Sequence, residues 1–216
     1  MRSSCICAAL CLGALVAGVR TAAGYPALQF SSHCQETGGL AYSAPGDSLW
    51  VAGLISGVEN AGGLPYAPAA CEYTLTIRGL SSSGQTFDGG WRSIAYSGGR
   101  LEIYADPSFN ADWAAGHTPG EPPPCFWDGE LWLAASVTNF RLTFAASGTS
   151  HLSCLLGYEG GTARPWFGNV GYIWSVKEQT PADIAALGYE FSASGTVCPW
   201  PHDPLPESVS AIKALY

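Results

Sequence analysis

The chain has 216 residues, of which 47% are hydrophobic, 12% aromatic and only 12% charged, with 27 Gly, 15 Pro and a single Met. That hydrophobic content excludes a charged disordered tail, and the scarcity of Glu, Lys and Arg excludes a coiled coil. The net charge of −8 argues against nucleic acid as a partner, because phosphate contacts need clustered Lys and Arg.

The N-terminus reads as an address. Met1 and Arg2 are followed by SSCICAALCLGALVAGV over 3–19, then Arg20 and the small residues Thr21-Ala22-Ala23-Gly24. This is the tripartite form of a secretory signal peptide over 1–24, with cleavage after Ala23 or Gly24. The run is shorter than the ~20 apolar residues a spanning helix needs. Leu10 before Cys11 does not suit a lipidation site, and no second long apolar run follows, so no transmembrane helix is expected in the mature chain. Sec-type export to the periplasm, the cell surface or the medium is the expected localisation. Cys34, Cys71, Cys125, Cys154 and Cys198 remain after cleavage. In an oxidising compartment at least one disulfide is expected, and their odd number leaves a thiol over. Sequence does not select the pairing.

The mature chain divides into a domain over 25–198 and a Pro-rich linker with a short C-terminal helix over 199–216. Residues 39–43 and 48–55 flank Ala44-Pro45-Gly46-Asp47, a hairpin turn. Over 72–78, Tyr73, Leu75 and Ile77 alternate with polar neighbours, the signature of a half-buried strand. Residues 92–96 and 100–105 are expected to pair across Ser97-Gly98-Gly99. Residues 131–137 and 140–145 are expected to pair across Thr138-Asn139. Further strands are predicted at 152–157, 171–176 and 189–197. Helix is scarce. Thr180 to Gly188 has a capping Thr, Pro181 at the first position and a terminating Gly. Ser208 is placed to cap a second short helix carrying Val209, Ile212 and Tyr216 on one face. Roughly nine or ten short strands with almost no helix predict an all-β, antiparallel β-sandwich, jelly-roll-like or Ig-like. The segments GGLAYSAPGDSLWVAGLISG, EYTLTI and FWDGELWLAAS resemble exported bacterial β-sandwich proteins. The resemblance spans residues 35–145 and implies the sandwich fold and export, with no activity attached.

Chemical motifs are few. The chain has no GxSxG nucleophile elbow and no HExxH pair. His33, His117, His151 and His202 lie in loop-like sequence, where a solvated side chain is the expected reading. Asp128 and Glu130 are two apart, at a spacing within reach of glycosidase geometry if both were extended, but Asp128-Gly129 reads better as a turn before a strand. Between Arg100 and Arg141 there are six acids and no base. Within that stretch Asp106, Asn110 and Asp112 have the oxygen chemistry of a Ca²⁺ site, without EF-hand spacing. A solvated acidic loop fits the same residues. Eight Trp supply core and edge packing, and Trp113 and Trp166, in loop-like sequence, are placed to stack on sugar rings or a protein partner. The leading expectation is therefore a secreted, non-enzymatic domain with a binding or surface-structural role, its ligand a glycan or a protein. A carbohydrate-binding or carbohydrate-cleaving sandwich is the second reading. A small outer-membrane β-barrel is the third, supported by the terminal Tyr216 and opposed by five Cys, short strands and the Pro-rich end. Oligomeric state is not readable from the sequence.

Overall fold

The structure, a computed structural model, describes residues 24–145 and 150–199. The expected signal peptide, except Gly24, and the C-terminal segment from Trp200, with His202, lie outside the described residues. Eight antiparallel strands close into an up-and-down barrel: β1 (Ala27–Glu36), β2 (Pro45–Glu59), β3 (Glu72–Asp88), β4 (Trp91–Asp106), β5 (Glu130–Ala145), β6 (Ser150–Gly160), β7 (Val170–Glu178) and β8 (Phe191–Pro199).

The all-β expectation holds, and the sandwich is corrected to a barrel. The strand that closes it, β1, is weakly apolar. Leu28, Phe30 and Cys34 point inward, but Ser32 and Glu36 share their face. This strand pairs with β2 on one side and with β8 on the other, from Leu28↔Val197 to Cys34↔Phe191. Without it the sheet would have two free edges.

The two expected turns lie inside single strands, since β4 runs on through Ser97-Gly98-Gly99 and β5 through Thr138-Asn139. In β3 the buried residues run Tyr73, Leu75, Ile77 and then Leu80; in β4, Ile94, Tyr96 and then Leu101, Ile103; in β5, Leu133, Ala135, Val137 and then Phe140, Leu142. Each strand changes phase once. The change falls at residues with positive φ, namely Gly79 (76°), Gly98 (71°), Gly99 (98°) and Asn139 (53°). The extra residue shifts the inward face by one position; because β3, β4 and β5 change together, their mutual register is kept across it, from Tyr96↔Phe140 to Arg100↔Ser136, and the register steps fall against β2 and β6. Such matched breaks in alternation across three neighbouring strands bend the sheet, which closure requires. Gly99 has a second constraint, since a β-carbon there would lie 2.6 Å from Leu80 Cδ2.

Polarity runs from an apolar interior to a polar wall. Leu28, Leu75, Ile77, Ile94, Leu101, Leu133, Leu142, Leu152, Ile173 and Val197 fill the inside and are buried. Gln29, Ser31, Arg78, Arg100, Ser136, Ser194 and Thr196 alternate with that set and reach the surface. One end, the base, is plugged by Leu64 from 60–71 and by Ala163 and Phe167 from 161–169. Trp132 Nε1 donates to Pro65 O at 2.7 Å there. The other end, the mouth, is covered by 37–44, which contains a 3-10 turn at Leu40–Tyr42. The turn expected at 44–47 is present, with Asp47 N donating to Ala44 O at 3.1 Å and Gly46 at φ of +94°, but the 39–43 segment before it belongs to the cover rather than to a strand, so the turn opens β2 instead of joining a hairpin.

Two connections leave the barrel ends and meet on its outer wall. The 107–129 loop departs from the base and crosses β3 and β2. The 179–190 connection departs from the mouth and contains α1 (Ala182–Ala186). The predicted helix is present but shorter. Pro181 occupies the cap without a side-chain hydrogen bond, and Thr180 does not cap. Together the two connections form a belt over a second apolar cluster, Trp50, Ala52, Phe126, Ile184 and Tyr189, outside the barrel.

Candidate site under the outer belt

The expected calcium ligands do not share a partner. Asp106 ends β4, buried, with Oδ1 accepting from Ser108 N at 2.8 Å and Oδ2 unpartnered. Asn110 donates to Asp128 Oδ2 at 3.2 Å. Asp112 caps Ala114 N at 2.9 Å, while its own N–H reaches Cys125 Sγ at 3.3 Å. Among the described residues no group of three or more His, Cys, Asp or Glu is arranged to hold a metal. Two of the six acids of the stretch have arginine partners. Arg78 and Arg100 both pair with Glu102, and Arg78 also lies 3.9 Å from Glu121. Burial alone would raise Glu102, but the hydrogen bonds from Arg78 and Tyr104 and the two guanidinium charges hold it below the usual carboxylate range. Asp128 lies in a turn and Glu130 opens β5, as the sequence suggested.

The five cysteines are all free thiols, which corrects the expected disulfide. Cys34 pairs in register with Val51 and Phe191, Cys154 with Ile173, and Cys198 with Tyr172, so no two cysteines oppose each other across a ladder. Cys34 and Cys154 lie in the barrel core, and burial pushes Cys154 up to about 12.

Of the histidines, His151 stacks on Trp174 on the far wall, with ring centroids 4.7 Å apart. His33 Nδ1 lies 2.7 Å from Ser192 Oγ, a serine–histidine contact. It lacks the other parts of a nucleophilic site. Ser192 is buried, and among the described residues no carboxylate is hydrogen-bonded to the imidazole. Burial lowers the His33 pKa, opposed by the charges of Asp183 and Glu178.

The aromatic side chains gather where sequence spacing gave no signal. Trp50 on β2, Trp113 and His117 on the long loop, and Tyr189 beyond α1 form one cluster with His33. Trp50 meets Tyr189 edge-on at 5.5 Å and His117 at 5.4 Å, and Trp113 meets His33 edge-on at 4.4 Å. Two hydrogen bonds clasp the belt, Tyr189 Oη to Trp113 O at 3.0 Å and His117 Nε2 to Leu187 O at 2.7 Å. Trp113 and Trp166 both lie in connections between strands, as expected, and each packs partly buried against a cluster, Trp113 under the belt and Trp166 at the base.

Three polar atoms under this clasp have no partner: Trp50 Nε1, His117 Nδ1 and Gln35 Oε1. Trp50 is 1% exposed. Gln35 is its cross-strand partner on β1. A β-carbon on Gly188, the residue after the clasp carbonyl, would lie 3.2 Å from Gln35 Nε2 and 3.6 Å from His117 Cε1, so both side chains border one point. Gly188 has φ of +97°, a conformation that also favours glycine. The wall beneath the belt continues in the same character, with the Thr74 and Thr76 hydroxyls buried and unpartnered. A wholly apolar second core would have no such groups.

The mouth has a different chemistry. Glu36 Oε1 accepts from Ser43 at 2.6 Å and from Tyr96 Oη at 2.8 Å, and Ser43 reaches Ser82 at 2.7 Å. Glu190 accepts from Glu36 N and Leu40 N, while Arg92 donates to Leu40 O and Ala41 O. These bonds bind the 37–44 cover to the strands. Burial raises the Glu36 pKa, only partly offset by its hydrogen bonds. No protein-family model matches the chain, and no curated protein and no solved structure is significantly similar to it.

Proposed function

We propose that the chain is a non-catalytic binding barrel that acts after export, with its ligand site under the outer belt rather than inside the barrel. The observation that carries this reading is the trio of unpartnered polar atoms on Gln35, Trp50 and His117, set among aromatic rings. An eight-stranded barrel is just wide enough for side chains to fill it or for one small ligand to be held. Here Phe30, Tyr73, Tyr96, Phe140 and Phe191 occupy that space, all buried. Binding sites of small molecules combine apolar walls with a few convergent polar groups, and the belt supplies both.

An aqueous setting is favoured over the outer membrane. The described strands are 9 to 17 residues long, so length does not oppose spanning. Polarity does: a bilayer requires an apolar outer band around a polar lumen, whereas Arg78, Arg100 and Glu102 lie on the outer wall and leucines fill the inside. Among the described residues no helix is long and apolar enough to cross a membrane.

The test is a thermal-shift screen of the mature protein against a small-molecule library, repeated with His117→Ala. A ligand at a hundredfold excess over its Kd stabilises the fold by about 2.7 kcal/mol. Hits that raise the wild-type midpoint and lose their effect in the variant support the site. Hits unaffected by His117→Ala but abolished by Tyr96→Phe move it to the mouth.

A further inference from the structure

The geometry points to a pH-sensitive lid: the 37–44 cover closes the barrel mouth over Glu36 and releases it as pH rises. This device is independent of the ligand site under the belt. The cover has the build of a lid. Its ends are pinned together, with Thr37 N donating to Ser48 O at 2.9 Å and Ser48 N donating to Thr37 Oγ1 at 2.9 Å. Gly38 and Gly39 lie just inside one end and Gly46 just beyond the other, so the segment has a hinge on each side. Within 37–44 only Leu40 and Ser43 are buried. Leu40 is the apolar stopper and joins the barrel core. The side-chain hydrogen bonds that hold the cover centre on two acids. Ser43 donates to Glu36 Oε1 at 2.6 Å, and Leu40 N donates to Glu190 Oε1 at 3.1 Å.

Glu36 is the weak point of this latch. It is 3% exposed, its Oε1 accepts from both Ser43 and Tyr96, and its Oε2 has no partner. A buried carboxylate needs a counter-charge, whereas a neutral carboxyl leaves only a polar group unmatched. The groups around it supply none. Ser43 of the cover, Ser82 of β3 and Tyr96 of β4 are hydroxyls, and Cys34 of β1 is a buried thiol. Asp47 of β2 and Glu190 before β8 are acids. Two bases of the mouth are committed elsewhere. Arg92 donates to Leu40 O, Ala41 O and Gln85 Oε1, and the Lys177 ammonium lies over the Phe144 and Phe191 rings at 6.0 and 5.7 Å. Among the described residues neither Glu36, Asp47 nor Glu190 is in a salt bridge. Burial raises the Glu36 pKa, the bonds from Ser43 and Tyr96 oppose it, and the Asp47 and Glu190 charges add to the rise. With the cover open, water reaches the carboxylate and its acidity returns toward the ordinary value. Closure is therefore fully favoured below 4.5 and loses that advantage as pH rises through the higher, closed-state value. The opening equilibrium gains by the ratio of the Glu36 acidities in the two states.

The test is amide hydrogen exchange on the ¹⁵N-labelled mature protein at pH 4.5 and pH 7.5. Rates are read as protection factors, which divide out the intrinsic base catalysis of exchange. The Gly39 and Leu40 amides donate to Glu36 O and Glu190 Oε1 and report the cover. They are expected to lose about tenfold in protection at the higher pH, while amides of the β5–β6 ladder keep theirs. Glu36→Gln keeps the size and the acceptor oxygen of the neutral acid, and should leave both amides equally protected at the two pH values. Ser43→Ala removes the cover's own bond to Glu36 and should bring Leu40 at pH 4.5 toward the wild-type level at pH 7.5, a second check should the Gln variant fail to fold. Glu190→Gln keeps an acceptor for Leu40, so a smaller drop should persist there. Protection that does not change with pH in the wild type overturns the proposal. A drop that survives Glu36→Gln assigns the switch to another group and overturns it. A loss shared by the β5–β6 ladder is global unfolding rather than a lid, and overturns it too.

Discussion

The barrel interior and the wall beneath the belt bury similar aromatic side chains for different ends. Inside, Phe140 meets Tyr96 edge-on at 5.5 Å and Phe191 meets Phe144 edge-on at 5.8 Å, and Glu36, Tyr158 and Ser175 each keep one unpartnered polar atom. Under the belt, Trp50, Tyr189 and Phe126 are equally buried, yet Gln35, Trp50, Thr74, Thr76 and His117 each keep an unpartnered polar atom. Each such group costs about 1–3 kcal/mol when nothing meets it. A region that only held the fold together would be expected to use apolar residues at those positions. The difference teaches that burial by itself does not mark a core. What separates the two regions is how many of the polar groups that burial encloses go unmatched within the chain, five beneath the belt against three inside among the described residues.

Truncation should separate the regions most strongly. Leu75→Ala opens a cavity in the barrel and is expected to cost about 2–5 kcal/mol, lowering the unfolding midpoint globally. Phe126→Ala instead removes an anchor of the belt. Its expected result is faster hydrogen exchange at the Trp50 indole with β5 and β6 amides still protected, as for a local opening. Equal loss of protection in both places would show that belt and barrel are one cooperative unit.

Two acids, Glu36 buried and Glu102 half-buried, offer a second contrast, through pH. Glu36 in the mouth has its folded pKa raised above 4.5 by burial. Its contribution to stability is therefore complete below 4.5 and is lost as pH rises through the higher folded value. Glu102 on the wall is shifted the other way by Arg78, Tyr104 and Arg100, so its contribution is present above 4.5 and is lost as pH falls through the folded value. Glu36→Gln should flatten the decline toward neutral pH and leave acid stability little changed. Glu102→Gln should cost about 1–3 kcal/mol at pH 7 and lose that effect in acid. Denaturant midpoints from pH 3 to pH 8 read both signs.

Much of the architecture was legible in the sequence and some of it misled. The alternation in 72–78 identified β3 because Tyr73, Leu75 and Ile77 sit in one phase. Where that phase changed, at Gly98-Gly99 and Thr138-Asn139, a break in alternation inside one strand looks the same as a turn between two. Both put glycine or asparagine at positive φ between apolar runs. The closing strand was missed because Gln29, Ser31, Ser32 and Gln35 dilute its pattern, and the choice of barrel over sandwich depended on that strand. The candidate site was least legible. Gln35, Trp50, His117 and Gly188 are far apart in sequence and are assembled by two connections from opposite barrel ends. The eight Trp pointed toward binding, but no spacing rule brought Trp50 to His117.

The thiols give a smaller effect. All five described cysteines should react with iodoacetamide after unfolding without reductant, and Cys34 and Cys154 should resist it in the folded barrel. Mass spectrometry counts the adducts, and fewer than five on the unfolded chain would reveal a bridge. Calcium should have the smallest effect. Asp106, Asn110 and Asp112 have separate partners, so the midpoint should be the same in millimolar Ca²⁺ and in chelator. A rise that Asp112→Asn abolishes would restore those residues as a cation site.

The claim that the ligand binds outside the barrel is tested most directly by mapping chemical-shift changes on the ¹⁵N-labelled protein with any ligand found by the screen. The account predicts changes centred on Gln35, Trp50, His117 and Gly188, with the barrel interior unmoved. Changes centred on Glu36, Tyr96 and Ser43 instead would place the site in the mouth and contradict it.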